Sequence, residues 1–358
     1  MNILLLEDNQ SDIESCASSL ARFLAEHPDG EIKLLKAQSV DEAKKIIFDH
    51  QTHIEGAIID LKIGSNSQAG NEIIQLFIDE LNLRAPVIVV TGTPDATDSG
   101  RKYAGIYKKG EFDYSDAFAL FVQIQKTGLY NVMGECGTLE KLLTYIFQNN
   151  IVPNLQKWID YAQKYSEEDV ERAFTRYVLA HVMVKLDGDQ DLFFSEECFL
   201  YLESSEFPRP GEFFEITSGD HKGEKWVVLT PPCDLVVRKN DDGSPCINVK
   251  KIQLALFEDM NNYKPKDFSE PLNDKQRTRW EALRKNPPQL YLYFLPTTDF
   301  LKGGFINFRT VTTIALDAMR KEYSSCGFMI SPLFFKNILA KFSNYYSRQG
   351  APDLRSYE

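Results

Sequence analysis

Four short apolar runs in the first 110 residues each end in a residue that can do chemistry, and this recurrence restricts the fold more than any other feature. Ile3-Leu4-Leu5-Leu6 ends in the carboxylate pair Glu7-Asp8, and Ala57-Ile58-Ile59 ends in Asp60. Val87-Ile88-Val89-Val90 delivers Thr91 and then the small Gly92, while Gly105-Ile106-Tyr107 delivers Lys108 and Lys109. Apolar runs of this length, separated by helix-like segments, are the pattern of parallel strands buried on both faces. In an open parallel sheet the carboxyl ends of the strands share one edge, and ligands bind there. Three acids, a hydroxyl and an ammonium are therefore expected at one crevice. Carboxylate oxygens with little else suit Mg²⁺, which keeps several waters and is often shared with a phosphate. The layout fits a site that places a phosphoryl group on Asp60.

This set of residues, in this order, resembles the receiver domain of two-component response regulators over residues 1–128. The resemblance implies an α/β doubly wound fold with a five-stranded parallel sheet. It also implies that Glu7, Asp8 and Asp60 hold Mg²⁺, that Asp60 accepts the phosphoryl group, and that Thr91 and a lysine contact its oxygens. A histidine kinase or phosphotransfer protein would be the donor. The chemistry agrees: an aspartyl phosphate forms when an ionised carboxylate attacks in line, and nearby cations keep it ionised. Lys108 is preferred as the lysine because it directly follows Ile106-Tyr107. Lys109 then occupies the position where the family usually has proline.

Several departures stand out. Pro94-Asp95-Ala96-Thr97-Asp98-Ser99-Gly100 is turn-rich and short for a fourth helix. Receivers usually carry an aromatic switch residue three positions before the lysine, and counting from Lys108 places Gly105 there. The loop after Asp60 is slightly long, lacks the usual proline, and carries Lys62 where its chain can cover a phosphoryl group. Phosphorylation should survive these changes, while the usual output face should not.

At 358 residues the chain exceeds one receiver, and three segments are expected: the receiver 1–128, a helical connector 129–187, and an α+β output domain 188–358. The sequence opens directly on a strand with no leader pattern, no apolar stretch reaches the ~20 residues of a membrane span, and the six cysteines are scattered. These features suggest a cytoplasmic protein with free thiols and no membrane contact. The net charge is −12; residues 1–128 hold 12 Lys and Arg against 20 Asp and Glu, and the remaining 230 hold 28 against 32. A DNA-binding output needs a basic face to neutralise phosphates, so DNA is not the expected partner. Lys336 and Lys341 fall in a helix rich in aromatics and are assigned to core packing.

In the connector, Leu129–Gly137 has linker composition, Thr138 and Pro153 each open a helix, and Ser166-Glu167-Glu168-Asp169 caps a third that ends near Leu186. These helices also offer a dimerisation element, so a homodimer is among the expected states. Beyond residue 188, strands are expected at 212–216, 225–230, 246–249, 290–295 and 305–316, with helices at 274–284 and 332–347. Together they suggest a small, bent sheet or barrel. Asp187-Gly188-Asp189-Gln190-Asp191 is a loop of solvated acids, since no glutamate closes it as a calcium site.

Thr230-Pro231-Pro232-Cys233-Asp234-Leu235 has two readings, a thiol nucleophile oriented by Asp234 or a barrel corner with Cys233 buried. A nucleophilic thiol needs a base, and His221 is the sole histidine placed to supply one. The corner is preferred. The whole chain is therefore expected to be no enzyme but a phosphoryl-accepting response regulator acting through its C-terminal domain on a protein partner. The alternatives are a phosphate sink in a stress or antiphage signalling system, and a receiver-gated nuclease or hydrolase.

Overall fold

A computed structural model describes residues 1–28, 30–50, 54–98, 100–134, 137–186, 193–240, 242–265, 268, 272–285, 287 and 289–348. The chain divides into two units, Met1–Gln190 and Asp191–Glu358. Asp187–Asp191, Cys136, His53 and the tail from Gln349 onward fall outside the described residues.

In the first unit, β1 (Asn2–Leu6), β2 (Lys33–Ala37), β3 (Gly56–Ile59), β4 (Val87–Thr91) and β5 (Gly105–Lys108) form one sheet in the order β2-β1-β3-β4-β5. Every pairing in it is parallel. Side chains alternate across this sheet as the strand repeat requires. Leu4, Leu6, Ala57, Ile59, Val87 and Val89 pack toward α2 (Val40–His50) and α3 (Ala69–Gln75). Ile3, Leu5, Ile58, Ile88 and Val90 pack toward α1 (Gln10–Glu26) and α4 (Tyr114–Lys126). Burial on both faces explains why β1, β3 and β4 are continuously apolar.

Two caps fix the helices beside the carboxyl edge. Asn9 Oδ1 accepts from Ser11 N at 2.9 Å to start α1, and Asp113 Oδ1 accepts from Ser115 N at 2.9 Å to start α4. Each cap stabilises by about 1 kcal/mol. Asp113 also pairs with Arg22 of α1 at 2.8 Å, which ties the two helices together. Between β4 and β5 the described residues form a single 3-10 turn, Pro94–Ala96, in place of a helix, as the turn-rich sequence implied.

The connector departs from expectation at its start. Leu129–Met133 is a short helix, α5, rather than linker, entered through Gly128 at φ 77°. It is followed by α6 (Thr138–Ile146), α7 (Leu155–Ala162) and α8 (Glu167–Leu186), and Arg84 binds this segment through Met133 O and Glu140. No helix among the described residues is long and apolar enough to cross a membrane.

The second unit is built on a curled, seven-stranded antiparallel sheet, a half-barrel in the order β12-β13-β11-β8-β7-β14-β6. Its strands are β6 (Phe199–Tyr201), β7 (Glu212–Ile216), β8 (Lys225–Val228), β11 (Lys251–Asp259), β12 (Leu292–Leu295), β13 (Gly304–Ala315) and β14 (Tyr323–Ile330). A separate hairpin joins β9 (Arg238–Lys239) to β10 (Pro245–Cys246), so the strand expected at 246–249 ends at Cys246. The short helix α9 (Pro232–Leu235) lies between β8 and β9, and α10 (Asp274–Lys285) precedes β12. Register breaks at Ala255/Leu256 and Ser325/Met329 mark bulges, which increase local twist and curl the sheet. α12 (Pro332–Tyr346) buries Phe335 and Ile338 against one face, and α11 (Leu316–Glu322) buries Met319 against the other.

The Thr230–Leu235 segment is the corner after β8. Thr230 Oγ1 accepts from Gln253 N of β11 at 2.8 Å, and Asp234 N donates to Pro231 O at 3.1 Å. The expectation that Cys233 is buried is corrected, since its thiol is exposed on α9. Leu235 takes the core position instead. The Cys233 sulfur lies 3.9 Å from Asp234 Oδ1, and His221 pairs with Glu224 at 2.7 Å.

Candidate functional site

At the carboxyl edge of the parallel sheet, Glu7 and Asp60 follow the face of Ile3, Leu5 and Ile58, which points toward α1. Both are almost wholly buried, at 1% and 5% exposure. The cation between them is Lys109, whose Nζ lies 2.6 Å from Glu7 Oε2, 2.7 Å from Asp60 Oδ2 and 3.1 Å from Asp12 Oδ2. Lys108 is elsewhere. It projects to solvent and pairs with Glu111 at 2.8 Å.

The choice of Lys108 is therefore corrected, and the reason is strand alternation. Tyr107 faces the α1 side, where it packs with Phe112, so the next residue must face away and Lys109 returns to the Tyr107 side. Lys109 N still donates to Thr91 O at 3.0 Å, which extends the ladder one residue past the strand. Gly110 then turns the chain at φ 82°. Ile106, three positions before Lys109, is an exposed aliphatic side chain.

The remaining groups complete the crevice. Asp8 is exposed at its mouth, and its Oδ2 accepts from Gly64 N in the β3–α3 loop at 2.6 Å. Asp60 Oδ1 accepts from Lys62 N at 3.2 Å, while the Lys62 side chain is exposed. Thr91 is buried at the end of β4, between the ends of β3 and β5, and its Oγ1 accepts from Thr93 N at 3.4 Å. A Cβ on Gly92 would meet nothing within 4 Å, so the space beside Thr91 is open.

Electrostatics fit a cation site. Burial raises the Glu7 carboxyl above its ordinary range, against the lowering effect of Lys109 and Asn9. Burial alone would lower Lys109, but its hydrogen bonds to Asp60 and Glu7 outweigh this and leave the ammonium well above the ordinary lysine value. One oxygen from each of Glu7, Asp8 and Asp60 lies within 4.8 Å of the others. The donors are all carboxylate oxygens and one of them is open to water, a set that suits Mg²⁺.

Sequence reasoning missed Asp12 and Gly70. Asp12 sits in the first turn of α1, directly after the carboxylate pair, and that spacing was the available signal. Gly70 N donates to Leu61 O at 2.9 Å, and a Cβ there would fall 2.3 Å from Asp60 O. Nothing in its sequence context marks that contact.

No protein-family model and no curated protein matches this sequence. Among solved structures, it is similar to a response regulator receiver domain protein from Clostridium thermocellum, at 19% identity over 36% of this chain and 97% of that one, with a TM-score of 0.30. It is also similar to the receiver domain of the PhyR response regulator from Erythrobacter litoralis, at 16% identity over 35% and 89%, with a TM-score of 0.26. NtrX from Brucella abortus aligns at 16% identity over 40% of this chain and 29% of its own, with a TM-score of 0.28. By its own strand order, β2-β1-β3-β4-β5, the N-terminal third of this chain has a flavodoxin-like doubly wound fold.

Proposed function

We propose that this protein is a response regulator phosphorylated on Asp60, with Glu7, Asp8 and Asp60 holding Mg²⁺. The carrying observation is the ammonium of Lys109 set between Asp60 and Glu7 at the carboxyl edge of a parallel sheet. Asp60 attacks the phosphorus of a phosphohistidine or small acyl phosphate. The new O–P bond forms as the donor's bond to phosphorus breaks, and the bonding pair leaves with the donor. Lys109 neutralises charge on the acceptor and on the incoming oxygens, and Thr91 donates its hydroxyl hydrogen to one of them. Bound Mg²⁺ supplies the remaining neutralisation. The exposed Asp8 is the carboxylate through which solvent and metal reach the site.

Intact mass after acetyl phosphate treatment tests the proposal. One phosphoryl adduct is expected with Mg²⁺, and none with chelator or in Asp60→Asn. An adduct that persists in the variant would overturn the assignment.

A second reading, a phosphate sink, is supported by one observation: Ile106 and the 3-10 turn leave the β4–β5 side without a switch aromatic or a helix. Beryllofluoride distinguishes the two readings. A signalling protein changes amide exchange in α5–α8 or in the second unit, whereas a sink changes only near Asp60.

A further inference from the structure

In the second unit three cations each rest on a partly buried tyrosine ring. Arg309 lies 3.9 Å over the ring of Tyr291 and donates from Nε to Tyr345 Oη at 3.3 Å. Arg348 lies 5.0 Å over the other ring of this pair, Tyr345, and Lys341 lies 5.2 Å over Tyr293. The rings of Tyr291 and Tyr345 are 6.2 Å apart. Three elements, β12, β13 and α12, build this surface, and none of them contains an aspartate or glutamate, although the chain as a whole has a net charge of −12.

The backbone is shaped to present it. Ala255 pairs with Val311 but Leu256 pairs with Asn307, so residues 308–310 bulge from β13. A bulge re-aims the side chain it carries, and here that side chain is Arg309. Lys341 and Tyr345 are one helical turn apart on α12, so they occupy one face. The sequence-based assignment of Lys341 to core packing covers its stem alone, since the ammonium rests on an aromatic face at the surface.

From this we infer that the surface binds single-stranded nucleic acid. The cations neutralise backbone phosphates, and a guanidinium held flat on a tyrosine ring offers its outer face to a base. An acidic peptide would use the charges but gain nothing from the rings. A duplex would present phosphates but hide its base faces. The inference is independent of phosphorylation at Asp60 and replaces the expectation of a protein partner for this surface. It also revises the expectation that DNA is not a partner, for single strands.

Fluorescence anisotropy of a short labelled RNA or DNA strand with the full chain tests it. Saturable binding at low salt is expected, and Arg309→Ala/Lys341→Ala should reduce the slope of log affinity against log salt by about 1.4. Tyr345→Phe keeps the ring and should bind as the wild type, whereas Tyr345→Leu should lose about tenfold. Circular dichroism melting confirms that each variant is folded, and Arg309→Lys, which keeps the charge, provides a milder variant. Absence of saturable binding overturns the inference. So do equal affinity for a duplex, equal displacement by polyglutamate, or no change in the double variant.

Discussion

Lys109 Nζ lies 2.7 Å from Asp60 Oδ2 and joins it to Glu7, while the adjacent Lys108 turns outward to Glu111. One residue of strand alternation separates a group that can act on a phosphoryl oxygen from one that cannot. The side chains of Glu7 and Asp60 are 2% and 6% exposed, so the ammonium compensates two carboxylates that water barely reaches.

Lys109→Ala should therefore lower stability at neutral pH by about 2–4 kcal/mol, because it leaves buried carboxylates without their cation. Added Mg²⁺ should restore part of that loss, since a ligand held by the folded state stabilises it. Lys108→Ala should melt as the wild type does and take up phosphate at the same rate. Thermal melts of the two variants with and without Mg²⁺ check this. A larger loss for Lys108→Ala would reverse the assignment.

Gly70 packs directly on the backbone that presents Asp60. A Cβ there would sit 2.3 Å from Asp60 O and 2.6 Å from Leu61 Cα, and both are backbone atoms that cannot rotate away. Gly70→Ala should cost about 2–3 kcal/mol and shift the β3–α3 loop, in line with overpacking elsewhere. The yield of phosphoryl adduct should fall even at temperatures where the variant remains folded. A normal yield with lowered stability would mean that the loop absorbs the strain without moving Asp60.

The strands β1, β3 and β4 were legible in the sequence because they are buried on both faces. The lysine was misread because following an apolar pair was taken as the criterion rather than the parity set by Tyr107. The second unit was harder. The nine-residue strand β11 mixes Lys251, Gln253, Glu258 and Asp259 with apolar residues, and no turn residues set it off clearly. β14 is Ser- and Gly-rich because it carries a bulge, so it lacks the strand signal. Asp12 and Gly70 act through contacts distant in sequence, Asp12 with Lys109 and Gly70 with the Asp60 backbone, which one chain read alone does not reveal.

Lys62 follows Asp60 by two positions, and its backbone N–H already holds Asp60 Oδ1. Its exposed side chain can reach over a phosphoryl group, pair with its oxygens and exclude the attacking water. Open space at Gly92 works in the opposite direction by admitting water. The ion pair should dominate, so Lys62→Ala should lose its phosphoryl group several-fold faster, on the order of a single charge-assisted hydrogen bond. Decay of the adduct by intact mass measures this, and equal rates would remove Lys62 from the mechanism.

Glu212 gives the second unit a distinct pH dependence. It is 4% exposed on β7, and it accepts from Ser325 Oγ at 2.6 Å and Arg209 N at 2.8 Å, which fixes the bulge of β14. Burial raises its carboxyl above the ordinary value of 4.5, and the two hydrogen bonds offset only part of that rise. A raised folded-state value means that the folded protein binds the proton more tightly than the unfolded chain. The associated stability is therefore fully present below the unfolded value and is lost as pH rises through the folded one. Glu212→Gln removes the titration and keeps one acceptor oxygen for Arg209 N, while its amide NH2 can donate to Ser325 Oγ in place of the bond that Oγ now donates. Its stability should change less with pH from 4.5 upward and should exceed that of the wild type at neutral pH. Urea unfolding at acidic and neutral pH, followed by a probe in the second unit, measures the difference. If the variant shows the same pH slope as the wild type, the Glu212 carboxyl is not the group that titrates.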